Sequence, residues 1–196
     1  MNYLFTIFHR LNTGGNKLSN QEIRNCIFQS RFNDLLKEIV NYRATIELFS
    51  IEKNKTYRFS FEETFLRAFA FSTNLKSYKG KLAQFLNDFM DQKKKSFPEQ
   101  EENEFREKIY LTIDLLYEKI LDGQQLPRIS KATTEAILVG IFSNIRKLKN
   151  DSEEVLKEKL SNLRADPVFS SENLKEGLSS KEKLTERINR GIEIFA

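Results

Sequence analysis

Apolar positions along this chain recur at helical spacing for most of its length, and the pattern changes phase at polar breaks. Leu82, Phe85, Leu86, Phe89 and Met90 fall at i, i+3, i+4, i+7 and i+8, one face of a helix. Phe105, Ile109, Ile113, Leu116 and Ile120 stripe a second helix, to about residue 121. Ile137, Ile141, Ile145 and Leu148 stripe a third, entered on Ser130. A fourth starts on Asp151 and Glu154 and carries Val155, Leu156 and Leu160. Ser179 and Glu182 cap a last one, with Leu184, Ile188 and Phe195 inward. Nearer the start, a helix covers 21–29. Phe32, Leu35, Leu36 and Ile39 then predict a second helix, or a bent continuation, over 31–41, and 43–50 reads as a short helix. Phe61, Phe65 and Phe69 share a face behind a Ser60–Glu63 capping box. Strict alternation is nearly absent. Residues 52–55 read as a loop, and Thr56–Phe59 is the best candidate for an extended piece. The pattern predicts a mostly α fold, an irregular bundle of about seven to eight helices with at most a minor β piece near 56–59.

The best candidate break joins a basic run, a proline and an acidic run, Lys93 to Glu102. It divides the chain into 1–95 and 96–196, two helical subdomains expected to pack as one unit. Lys93–Lys95 reads as a solvated helix end, with a DNA contact as the functional alternative. Asp166-Pro167 marks a turn, Leu126–Ile129 a connector, and no internal repeat is evident.

The densest backbone specification lies in residues 5–27. An apolar segment (Phe5, Ile7, Phe8, Leu11) runs into Asn12-Thr13-Gly14-Gly15 beside Arg10. Two glycines permit positive φ and close approach of a ligand. Ser19 and Glu22 form a capping box, with Leu18 and Ile23 placed as a hydrophobic staple. Backbone N–H groups at such a turn, ahead of a helix, suit phosphate. The competing reading is a plain interhelical loop with a structural arginine.

The string Phe8, Arg10, Leu11, Asn12, Thr13, Gly14, Gly15, Leu18, Glu22, Arg24 and Asn25 resembles the second signature block of the GmrSD-type restriction endonuclease N-terminal domain, a prokaryotic family with a ParB/sulfiredoxin-like portion. Later blocks are similar too: Phe61 to Ala70, Tyr78-Lys79-Gly80, Phe85 to Met90, and Asp166 to Ile188. The resemblance covers nearly the whole chain but only the family's C-terminal part. It implies a residual nucleotide- or phosphate-binding site at Arg10, Asn12, Thr13, Gly14, Gly15, Arg24 and Asn25. Arg24 and Asn25 face either that pocket or solvent, and Glu22 is first a capping residue. For the intact family the resemblance implies a bound nucleotide (GTP, ATP or another NTP) and gating of cleavage of foreign, often modified, DNA.

The family's first signature, D-G-Q-Q-R, is absent from its place ahead of N-T-G-G. The expectation is a family domain without its N-terminal portion, as a split gene, a truncation or a fragment. Asp122-Gly123-Gln124-Gln125 spells part of that signature but reads as a helix-end turn. No catalytic residue is assigned, and the chain alone is expected to be inactive.

Composition narrows the picture. The 196 residues hold one sizeable core, and 31% charged against 39% hydrophobic residues argues against a disordered or membrane chain. No apolar run reaches the roughly 20 residues that span a bilayer. A single cysteine, Cys26, excludes an intrachain disulfide and fits a cytoplasmic setting. Cys26 itself is expected to pack beside Ile23 and Ile27 as a small hydrophobe. One histidine, His9, and one cysteine cannot supply a zinc site, and one histidine cannot build an H-N-H nuclease centre. Phe61, Phe65, Phe69, Phe85 and Phe89 read as core before they read as a base-stacking platform. Net charge +4 permits a polyanionic partner without requiring one. The partners implied are a missing N-terminal half or a nuclease, DNA, or a second copy, and no membrane. The rival classes are a non-enzymatic protein-interaction or nucleic-acid-binding helical module, and a folded remnant.

Overall fold

The computed structural model describes residues 7, 18–52 and 58–196, and among them there are nine α-helices and no strand. In chain order they are α1 (Asn20–Ile27), α2 (Arg31–Val40), α3 (Arg43–Phe49), α4 (Arg58–Asn74), α5 (Leu82–Lys95), α6 (Glu99–Asp114), α7 (Lys131–Leu148), α8 (Glu153–Ala165) and α9 (Lys181–Phe195). Nine exceeds the expected seven to eight because polar caps cut the early stretch finely. Ser30 accepts from the Asn33 N–H and starts α2 as a separate helix, not a continuation of α1. The expected β piece is not found where it can be checked: Arg58 and Phe59 open α4, while 53–57 lie outside the described residues.

Several predicted caps hold. Ser19 Oγ accepts from the Glu22 N–H at 3.2 Å, and Glu22 Oε2 accepts from the Ser19 N–H at 2.7 Å. Leu18, placed as half of a staple, is 41% exposed, whereas Ile23 is buried. Ser130 caps α7 by accepting from the Thr133 N–H. Two caps move by one residue, to Ser152 for α8 and Ser180 for α9. The Ser60–Glu63 box does not form. Ser60 lies inside α4, where its carbonyl accepts from the Thr64 hydroxyl, and Glu63 is drawn to two arginines instead.

The core is one cluster drawn from all nine helices. Phe32, Phe69, Phe89 and Phe142 are buried, and Phe69 stacks on Phe105 at 4.8 Å between ring centres. The predicted aromatic positions are therefore core, with Phe61 half-buried at its edge. The Lys93–Glu102 break is a corner between α5 and α6. There Lys93, expected in solvent, is buried: its Nζ bonds Glu101 at 2.5 Å and lies 5.3 Å from the Phe89 and Phe105 rings. Aromatic faces and one carboxylate replace its hydration. Beyond Asp114, residues Leu115–Ile120 continue α6 as a wider π-helical turn that keeps Leu116 and Ile120 inward. Asp122 and Gly123 then adopt positive φ and the Gly123 N–H bonds the Tyr117 carbonyl, a helix-end turn as read from the sequence.

Helices α7 and α9 make the closest crossing. A Cβ on Gly140 would sit 2.5 Å from the Gly191 carbonyl oxygen, and one on Gly191 would sit 2.6 Å from that of Ala136. Asn144 bridges the two helices, its Nδ2 donating to the carbonyls of Gly140 at 2.9 Å and Ile192 at 3.0 Å. No described helix is long and apolar enough to cross a membrane.

Candidate functional site

Four helices bring charged side chains into the core, where they meet in one line, and a fifth adds the amide of Asn87. Arg24 of α1 is 1% exposed. Its Nε donates to Asn87 Oδ1 of α5 at 2.9 Å, and its Nη1 to Glu63 Oε2 of α4 at 2.8 Å and Gln21 Oε1 at 3.1 Å. The other Glu63 oxygen accepts from Arg67 Nη2 at 2.6 Å. Arg67 in turn bonds Glu135 of α7, and Arg187 of α9 stands 3.9 Å from the second oxygen of Glu135. Beside this line Asn25 Nδ2 donates to Glu62 Oε2 at 2.5 Å, and Asn25 Oδ1 accepts from Gln21 Nε2 at 3.0 Å. Tyr78 donates to the Ser179 carbonyl at 2.5 Å, which ties the turn before α5 to the start of α9.

The electrostatics follow from alternation of sign. Burial by itself raises the Glu63 carboxyl, but the Arg67 and Arg24 guanidinium groups outweigh it and hold the carboxyl below its ordinary range. Burial pulls Arg67 down, and Glu135 and Glu63 overcome it, so that its affinity for the proton rises. Arg24 and Arg187 are lowered by burial that their carboxylate partners only partly offset. Three guanidinium groups share two carboxylates, and the Nε atoms of Arg67 and Arg187 are buried without a partner. Such a line fixes geometry firmly: removing either carboxylate leaves a buried guanidinium uncompensated, and removing Arg24 strips Asn87, Gln21 and Glu63 of a donor.

A pH dependence follows. A carboxylate whose folded pKa lies below its unfolded one stabilises the fold fully above the unfolded value, near 4.3. That contribution is lost as pH falls through the lower, folded value. The Glu63→Gln variant is therefore expected to unfold at lower urea than wild type at pH 7. As pH falls below the unfolded value, near 4.3, the gap between the two midpoints should narrow. Equal gaps at pH 7 and pH 3 would exclude an ionised Glu63 as the cause.

Of the residues assigned from the sequence, Arg10, Asn12, Thr13, Gly14, Gly15 and His9 lie outside the described residues. Arg24 and Asn25 are described, and neither faces open solvent as a plain solvating group: Arg24 is the buried end of the ionic line, and Asn25 is half-buried against Glu62. Cys26, expected to pack, is exposed, because the buried face of α1 runs through Gln21, Ile23, Arg24 and Ile27. Sequence reasoning missed Glu63, Arg67, Asn87, Glu135 and Arg187 as one constellation. Its only linear trace is charge at buried phases of apolar helices. Among the described residues no three His, Cys, Asp or Glu side chains gather as metal ligands would.

A separate cleft of about 500 Å³ opens between the turn after α4 and the start of α5. Asn74, Ser77, Lys79, Lys81, Gln84 and Asp88 line it, and Phe85 forms its apolar floor. No protein-family model, curated protein or solved structure matches this chain.

Proposed function

We propose that this chain is the helical part of a GmrSD-type domain, acting in nucleotide-gated restriction of foreign or modified DNA together with a segment that carries D-G-Q-Q-R. The support is a convergence. The residues that carry the resemblance come from blocks far apart in sequence, and they bond to one another: Arg24 of the N-T-G-G block to Glu63 of Phe61–Ala70 and to Asn87 of Phe85–Met90. Tyr78 and Arg187, from two further blocks, join the same buried corner near α9. A shared internal bonding pattern is what a family signature requires when its letters specify structure. The line holds α1, which begins shortly after N-T-G-G in sequence, so a phosphate contact made there would be backed by a rigid helix. The lone cysteine suits the cytoplasm in which such restriction operates.

The experiment is to measure nucleotide turnover and association with a D-G-Q-Q-R fragment. The chain alone is expected to show no appreciable GTP or ATP hydrolysis and no nuclease activity. On co-expression the fragment should bind it and confer nucleotide binding, and Arg10→Glu or Phe8→Asp should abolish both. Robust turnover by the chain alone, lost in Arg10→Ala, contradicts the need for the fragment. A monomer that ignores fragment and nucleotide alike returns the chain to the helical-module or remnant reading.

A further inference from the structure

The cleft beside α5 belongs to a larger charged corner that the reading above does not use. The turn Tyr78–Gly80 docks on the start of α9: Tyr78 bonds the Ser179 carbonyl, and a Cβ on Gly80 would lie 3.5 Å from the Lys181 nitrogen. This packing gathers Lys79 and Lys81, either side of Gly80, with Lys181 from a distant part of the sequence, and Lys76 lies on the same short turn. All four are exposed, and none of their amines is ion-paired among the described residues. By contrast, Lys93 and Lys95 on the same helix as the cleft are both paired. Asp88 is the one carboxylate lining the cleft, against two lining lysines. The first turn of α5 has no side-chain cap, so its N–H groups add to the positive field.

We infer that this corner is a docking face for the phosphate backbone of duplex nucleic acid. Unpaired lysines grouped on one face are the electrostatic footprint of a polyanion partner. They are mobile point charges, not the planar forks that read base edges, so the contact is to phosphate and carries no sequence preference. The partner is a duplex and not a single strand, because single-strand binding needs exposed aromatic faces for stacking. The aromatic residues here are committed: Phe85 is buried and stacks on Phe71 at 5.5 Å, and Tyr78 is buried with its hydroxyl bonded. This face requires neither the nucleotide nor the nuclease of the proposed restriction role, and it stands or falls separately.

The test is fluorescence anisotropy of a mixed-sequence DNA duplex of about 20 base pairs, two helical turns, titrated with the full chain between about 50 and 200 mM salt. The Lys79→Glu/Lys81→Glu pair is expected to weaken binding at least about ten-fold, and the log–log salt slope should fall by about two, one for each lost phosphate contact. A charge-matched control pair, Lys147→Glu/Lys149→Glu, removes exposed lysines from the end of α7 and should have a much smaller effect. If the reversal pair misfolds by circular dichroism, the neutral Lys79→Gln/Lys81→Gln pair is read in its place, with the same sign expected. Equal losses in the two pairs would reduce the effect to net charge and overturn the assignment. So would a wild-type chain that fails to bind the duplex at 50 mM salt. Saturable ATP or GTP binding lost on the same substitutions, without duplex binding, would assign the corner to a small phosphate ligand instead.

Discussion

Replacing Arg24 by methionine is expected to lower stability by at least about 2 kcal/mol, since Asn87, Gln21 and Glu63 each lose a buried donor and a stripped buried group costs about 1–3 kcal/mol. The methionine fills most of the volume, so the loss is electrostatic. Glu63 keeps Arg67 but loses its second cation, and Asn87 Oδ1 loses the charged donor 2.9 Å away. Arg24→Lys is expected to recover little. One ammonium cannot donate from fixed positions to Asn87, Gln21 and Glu63 together, which the guanidinium does. Urea denaturation at pH 7 measures both variants. A loss below about 1 kcal/mol for Arg24→Met would place this contact with ordinary surface pairs and remove the basis for treating α1 as rigidly held.

The second large effect is expected at the α7–α9 crossing. Alanine at Gly191 gains about 1 kcal/mol of intrinsic helix propensity. It also places a methyl 2.6 Å from the Ala136 carbonyl oxygen, and that neighbour is backbone, which cannot turn aside. Overpacking of this kind costs about 1–3 kcal/mol, and separation of the helices also breaks the Asn144 bridge to Ile192. Gly191→Ala is therefore expected to be destabilising in spite of its propensity, and Gly191→Val more so. Thermal melting that ranks wild type above alanine above valine supports the crossing. A stabilised alanine variant would show that the two backbones are not in contact.

How far the fold was legible depends on which forces act locally. Helices with a clean apolar stripe, such as Phe85, Leu86, Phe89 and Met90 in α5, were readable because their burial needs only one face and one period. Caps were readable to within a residue where two serines adjoin, as at Ser179 and Ser180, since either hydroxyl can serve and tertiary packing selects one. What was not legible is charge that enters the core. Cys26 was placed inward and Arg24 left open because an arginine is ordinarily outside. The partners that make Arg24 the better buried residue, Glu63 and Asn87, are supplied by other helices. The same cause undid the Ser60–Glu63 box: a glutamate drawn by two guanidinium groups is no longer available to cap its own helix. Lys93 was misread for a related reason, since the aromatic rings that shelter it lie across a corner in space. For the candidate site, the sequence offers Arg24 and Asn25 as phosphate-site residues, whereas the internal constellation that they join is long-range and leaves no spacing to find.

The contact between Gly140 and Gly191 also sets an order in time. Helix α7 is buried along nearly its whole length, from Ala132 to Leu148, and α9 supplies the cover at the closest point of approach. During synthesis α7 leaves the ribosome well before residues 181–195 exist. At roughly 5–20 residues per second, a nascent chain holds that apolar surface uncovered for seconds. Glu135 waits over the same interval for Arg187. Folding of this protein is therefore expected to complete only after α9 emerges, which leaves an early interval in which the longest described helix has to be kept from the wrong partner.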